Sequence, residues 1–212
     1  MARSTPFRTD VEGSGQMRQI HDTNLVFIHI PKTAGMAVVS AFGLEHRSTD
    51  HMMSREEDRA FLGSEYVRFL VFRDPLARLV SAYKYSLSML HNHHGNTVRE
   101  DILNHGLDKD VNAFLAHYAD QPARLLKNLH FVPQWFYYVN GKPSIVLRQE
   151  HLATDIQIIA GLAPQHFEGL SVRNKSASQL EANTALTDES KARVKDLYRT
   201  DFLLWGGSAL GS

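Results

Sequence analysis

The sequence predicts an α/β fold with a central, mainly parallel sheet flanked by helices. Three observations carry that reading. Short apolar, β-prone runs alternate along the chain with stretches of helical spacing. Two of those runs break at a tight turn that leads straight into a helix, at Pro31-Lys32 and at Arg73-Asp74-Pro75. No internal repeat or low-complexity linker interrupts the pattern, so one domain over 23–212 is expected behind a flexible leader at 1–22. At 212 residues such a domain buries roughly 70% of its unfolded surface.

In chain order, the polar leader carries a short helix near Met17 to His21. Leu25 to Ile30 is a buried strand that ends where Pro31 removes an amide from the ladder. Gly35 lets the backbone approach a ligand closely, and Met36 to Phe42 has the apolar density of a buried helix. Ser54 and Glu57 form a capping box for a short helix ending near Gly63. Tyr66 to Phe72 is a second core strand. Asp74 suits the cap and Pro75 the first turn of the helix that follows, whose Leu76, Leu79, Val80, Tyr83 and Leu87 recur at helical spacing. Val111 to Tyr118 and Pro122 to Leu129 read as helices, and His130 to Tyr138 as an aromatic-rich core stretch. Ser144 to Leu147 is a third strand, followed by a helix from His151 to Leu162. A single helix from Thr187 to Leu204 closes the chain.

Composition removes several function classes. Lys and Arg number 23 against 23 Asp and Glu, so no global basic field holds nucleic acid or an acidic membrane. The absence of cysteine excludes disulfides, thiolate zinc sites and cysteine nucleophiles. No apolar run reaches the ~20 residues of a membrane span, and the polar start lacks a signal-peptide core, so a cytoplasmic location is expected. His91, His93 and His94 lie in a polar loop without a further ligand at fixed spacing, and no metal site is expected there.

What remains is local anion chemistry. Strand, tight turn and helix start gather backbone amides around Lys32 and Thr33, and the same arrangement recurs at Arg73. In parallel sheets ligands bind beyond the carboxyl ends of the strands, where both cations fall. Two such sites suit a ligand with two separated phosphate-like groups. A Walker loop places its glycines before the lysine. Here the lysine follows a proline and precedes Gly35, so the ATPase or kinase order is not met.

The segment Ile30-Pro31-Lys32-Thr33-Ala34-Gly35 resembles the 5′-phosphosulfate loop of sulfotransferases that use 3′-phosphoadenosine 5′-phosphosulfate (PAPS). Phe72-Arg73-Asp74-Pro75-Leu76-Ala77-Arg78-Leu79-Val80-Ser81-Ala82-Tyr83 resembles their 3′-phosphate motif. The set most similar is sulfotransferase family 2, carbohydrate sulfotransferases that include heparan sulfate 2-O-sulfotransferase. The resemblance runs from about Leu25 to Trp205 and takes in Val146 to Leu152, Arg173-Asn174-Lys175-Ser176 and Tyr198 to Phe202. It implies a P-loop-like three-layer fold and transfer of a sulfuryl group to an acceptor hydroxyl, leaving adenosine 3′,5′-bisphosphate (PAP). Pro31, Lys32, Thr33, Ala34, Gly35, Met36 and Ala37 would hold the 5′ end of the cofactor, with Lys32 stabilising charge on the leaving oxygen. Arg73 and Ser81 would hold the 3′-phosphate, and Arg173, Lys175 and Ser176 would fold over the cofactor. The family usually follows the loop glycine with hydroxyl residues where this chain has Met36 and Ala37. Losing two neutral hydrogen bonds costs very roughly 1–3 kcal/mol, or ten- to hundred-fold in affinity.

Sulfuryl transfer to a hydroxyl needs a proton acceptor, for which histidine is suited at neutral pH. His51, between the two motifs, is the first candidate, as in the relatives. His130, Trp135, Arg148 and Glu150 are candidates for acceptor contact, and His29 reads as packed structure. The expected function is a PAPS-dependent sulfotransferase acting on a carbohydrate or glycolipid hydroxyl. A non-catalytic PAPS- or PAP-binding module and another nucleotide-dependent phosphoryl transferase are the alternatives. The partner is a small-molecule or saccharide acceptor, with no nucleic acid.

Overall fold

The computed structural model describes residues 17–45, 58–92, 95–170 and 182–206. His51, the capping pattern at 54–57, and Arg173, Lys175 and Ser176 lie outside the described residues. The fold class is the one the sequence predicts: α/β, with a central, mostly parallel four-stranded sheet flanked by helices.

The chain divides into two compact units. The first draws its described residues from Met1–Ile30, Ala34–Val71 and Tyr137–Arg173, and holds the sheet. Its strands are β1 (Met17–Gln19), β2 (Leu25–Ile28), β3 (Val67–Phe72) and β4 (Ile145–Arg148), in the order β1-β2-β3-β4. β2 and β3 run parallel with Leu25 opposite Val67. All four β2 residues are buried, which is the near-continuous apolar pattern of a strand covered on both faces. Helix α1 (Gly35–Ala41) packs Val38 and Val39 into a core with Leu25, Phe27, Phe69 and Val71. α7 (Leu152–Leu162) adds Leu152, Ile156 and Ile159 to that core.

The second unit is helical and draws on Pro31–Thr33, Phe72–Phe136 and the described residues of Asn174–Ser212. It holds α2 (Pro75–Ser88), α3 (Thr97–His105), α4 (Val111–His117), α5 (Pro122–Leu126), the first residues of α6 (Gln134–Gly141), α8 (Asp188–Leu197) and α9 (Arg199–Gly206). Its core joins Leu79, Tyr83 and Leu87 of α2 to Val98, Ile102, Phe114, Phe131, Val194 and Tyr198. Side-chain caps start four of these helices. Asp74 Oδ1 accepts from Ala77 N, Asn96 Oδ1 from Arg99 N, Asp110 Oδ1 from Asn112 N and Thr187 Oγ1 from Ser190 N.

Several elements differ from the sequence reading. Met17–Gln19 is an antiparallel edge strand on β2, not a short helix, because its backbone pairs Met17 with Ile28 and Gln19 with Val26. A strand of three residues is too short to show a period of two. The aromatic stretch contains helix α6, and α3 was not expected at all. The C-terminal helix divides at Tyr198, whose hydroxyl donates to Phe131 O from a fully buried position.

Candidate functional site

Pro31, Lys32 and Thr33 begin the loop after β2, and their backbone is unusual. Lys32 has φ +70° and Ala34 has φ +67°, both in the left-handed region although neither is glycine. Each such residue costs about 1–2 kcal/mol, so the surroundings must impose the conformation. Within the helical unit two guanidinium groups do this. Arg73 Nη1 donates to Lys32 O at 3.0 Å, and Arg78 Nε donates to Pro31 O at 3.0 Å. Two successive carbonyls of this loop, those of Pro31 and Lys32, thus accept from arginines.

Arg73 is itself held by its backbone. Its N–H donates to Gln134 Oε1 at 3.0 Å and its carbonyl accepts from Gln134 Nε2 at 2.9 Å. Gln134 is fully buried at the start of α6, where its own N–H and that of Trp135 donate to the two oxygens of Asp201, each at 2.8 Å. Burial pushes the Asp201 carboxyl up, while those amides and the charge of Arg78 pull it down. Asp201, Gln134 and Arg73 therefore form a chain of hydrogen bonds that ends on the Lys32 carbonyl.

Lys32 is a perturbed cation. Its ammonium lies 4.2 Å from the centroid of the Tyr85 ring. Burial, and then the like charge of Arg73, lower its pKa to about 8. No carboxylate counters either effect among the described residues. Arg78 adds a second uncompensated feature: it is 2% exposed, and its Nη2 has no hydrogen-bond partner among the described residues. Arg78, Ser81 and Tyr85 recur at three- and four-residue spacing, so they share one face of α2. Ser81 is half-buried there. The Tyr85 ring also packs against His130 in a tilted pair, centroid to centroid 4.5 Å, and its centroid lies 5.7 Å from the Arg99 guanidinium carbon.

The sequence candidates thus fall in three groups. Pro31, Lys32, Thr33, Arg73, Ser81, His130 and Trp135 belong to the helical unit, where the contacts above join Lys32 to Arg73 and, through Tyr85, to His130. Thr33 is fully buried and Trp135 is 37% exposed. Ala34, Gly35, Met36, Ala37, Arg148 and Glu150 belong to the sheet unit. His51, Arg173, Lys175 and Ser176 are outside the described residues.

Gly35 has a packing reason within its own unit: an added Cβ would stand 1.8 Å from His29 Nε2. His29 is 3% exposed and stacks on Phe27, so it is packed structure as expected. At α2, the Asp74 side chain caps the helix start by accepting from Ala77 N.

One further group among the described residues has metal-ligand spacing, with donors of Asp101, His105 and His117 within 4.8 Å of one another. Asp101 is already bound by Arg124 Nε at 2.8 Å and Nη2 at 2.6 Å, and by the Tyr118 hydroxyl at 2.7 Å. A metal cation there would face the Arg124 guanidinium, so the cluster acts as an ion-paired tie between helices. Tyr85, Arg78, Gln134 and Asp201 went unassigned in the sequence. Only the helical spacing of Arg78, Ser81 and Tyr85 could have flagged two of them.

No helix among the described residues is long and apolar enough to cross a membrane. Neither a curated protein nor a solved structure matches the chain. The model of the sulfotransferase family matches residues 16–206, which takes in both the Lys32 loop and the Arg73 motif. The chain belongs to the sulfotransferase family.

Proposed function

We propose that this sulfotransferase takes its sulfuryl group from PAPS and passes it to the hydroxyl of a carbohydrate or glycolipid. One observation carries the reading. Arg73 Nη1 donates to Lys32 O, so the two motifs that resemble the 5′- and 3′-phosphate elements meet in the fold. The residues also suit a polyanion. Lys32 is a cation without a carboxylate partner among the described residues, Arg78 keeps a buried Nη2 donor unused there, and the backbone of Lys32 is held in the left-handed region.

In this reading Lys32 faces the oxygen that bridges sulfur to the 5′-phosphate and stabilises the charge that gathers there. Its lowered pKa is explained by burial beside Arg73, and an arriving dianion would restore the charged form. Arg73 and Ser81 hold the 3′-phosphate, Arg73 by a forked, charge-assisted contact. Bound PAPS supplies the activated sulfur–oxygen bond. The protein supplies charge, position and a proton acceptor.

Calorimetric titration with PAP, beside ATP and magnesium, tests the proposal. Binding of PAP alone is the expected result. Binding of ATP alone would transfer the site to phosphoryl chemistry. No binding by either would mean that the Met36-Ala37 loop has lost the cofactor. PAP binding with no transfer to any member of a saccharide and phenol panel would favour a binding module.

A further inference from the structure

The reading above leaves open what aims Arg73, and the helical unit holds a buried amide against its main chain. We propose that Gln134 is a positioning residue: its side chain clamps the backbone of Arg73 and so sets the preference for a 3′-phosphate. The inference rests on the sulfotransferase reading and adds a residue that lies outside both cofactor motifs.

Arg73 directly follows Phe72, the last residue of β3, and Gln134 meets both of its main-chain polar groups. Gln134 Oε1 accepts from Arg73 N at 3.0 Å, and Gln134 Nε2 donates to Arg73 O at 2.9 Å. Two facing residues make the same paired exchange in an antiparallel ladder; here one side chain makes it. A main-chain N–H can only donate, so the amide oxygen must face it and the orientation of Gln134 is fixed. Gln134 is fully buried, and losing either bond would leave a polar group there unmatched.

The clamp is anchored from behind. The N–H groups of Gln134 and Trp135 donate to the two oxygens of Asp201, each at 2.8 Å. The first amides of a helix have no partner within it, so Asp201 of α9 caps α6 and fixes the residue that holds Arg73. From there the chain runs through the guanidinium, whose Nη1 donates to Lys32 O at 3.0 Å. Every bond between Asp201 and the Lys32 carbonyl is thus 3.0 Å or shorter.

A forked contact tolerates little rotation, because two N–H groups must meet phosphate oxygens together. A guanidinium on a long side chain is aimed only as well as the main chain from which it starts. Gln134 therefore touches no phosphate and acts through Arg73. The Lys32 loop keeps a separate tie, Arg78 Nε to Pro31 O at 3.0 Å, so a loosened Arg73 should cost the 3′-phosphate contact first.

Calorimetry with PAP and adenosine 5′-monophosphate (5′-AMP) tests this, since the two differ only in the 3′-phosphate. Wild type should bind PAP at least about tenfold more tightly than 5′-AMP. Gln134→Glu keeps an acceptor for Arg73 N and sets a carboxylate oxygen against Arg73 O in place of the donor. It should weaken PAP about tenfold and leave 5′-AMP affinity within about twofold of wild type. Asp201→Asn, one link farther back, should weaken PAP about threefold with the same selectivity. A second readout needs no variant. In nitrogen-15 spectra of the wild type, PAP should shift the Gln134 side-chain amide signals and slow their exchange, while 5′-AMP leaves them in place. These spectra decide the matter if the variants do not fold. An unchanged ratio of PAP to 5′-AMP affinity in folded Gln134→Glu, an equal loss for both nucleotides, or Gln134 signals that PAP does not move would each overturn the positioning role and leave the cofactor reading standing. A wild type that does not bind PAP, or binds it no more tightly than 5′-AMP, would overturn both.

Discussion

Asp101 and Lys32 are both withdrawn from water in the helical unit, and their surroundings are opposite. Asp101 has a 4% exposed side chain, yet Arg124, Tyr118 and the charge of His117 favour its ionised form, the Arg124 hydrogen bonds most of all, and its pKa falls. Every charge there has a partner. Lys32 has an aromatic face and a second cation, and its pKa also falls, but for a lysine that means the charged form is disfavoured. A fold gains from the first arrangement and tolerates the second only where something else will supply the missing anion. The contrast separates a fully paired structural cluster from a cation left without a carboxylate more sharply than the count of charges does.

The largest expected effect comes from breaking the unbalanced side. Lys32→Ala should lower sulfuryl transfer about 10²–10³-fold, the usual loss for one electrostatic contact to a developing oxyanion. Arg73→Ala should act mainly on PAP affinity. Equal losses of affinity and no separate loss of kcat would show that the two cations do one job.

The pH dependence should show the same imbalance. With a pKa of about 8 in the free protein, Lys32 loses its proton as pH rises through that value, so kcat/KM should decline on the alkaline side of about 8. The corresponding limb in kcat should lie higher, because the bound dianion favours the ammonium. Lys32→Arg should retain part of the rate and lose the limb, since a guanidinium stays charged throughout. An alkaline limb that survives this substitution would belong to another group.

The balanced side should respond in stability alone, and this is the smallest effect on function. Asp101→Asn should lower Tm at neutral pH and leave PAP affinity unchanged. The folded pKa of Asp101 lies below its unfolded value. Its stabilisation is therefore present above the unfolded value of about 3.9 and is lost as pH falls through the folded one. The Tm gap between wild type and variant should close over that acid range. A change in PAP binding would mean that the two clusters are coupled.

The sequence by itself determined the fold class and the two motifs of the site. Strand runs such as Leu25–Ile28 and Val67–Phe72, and the Asp74-Pro75 helix start, are local signals, because period, capping and proline geometry act over a few residues. The expectation of anion chemistry at Lys32 and Arg73 came from local signals of the same kind. Only the tertiary structure decided what lies between them. Gln134 and Asp201 are polar residues in unremarkable sequence, and they matter because they reach Arg73 across 61 and, through the start of α6, a further 67 positions. That the His29 ring lies where a Cβ on Gly35 would stand is likewise invisible in the local sequence. His130 and Tyr85 are 45 positions apart by their numbers, and no local pattern brings their rings to 4.5 Å. Short-range forces write themselves into neighbouring residues, whereas a side chain's electrostatic surroundings are set by whichever distant segments packing brings to it.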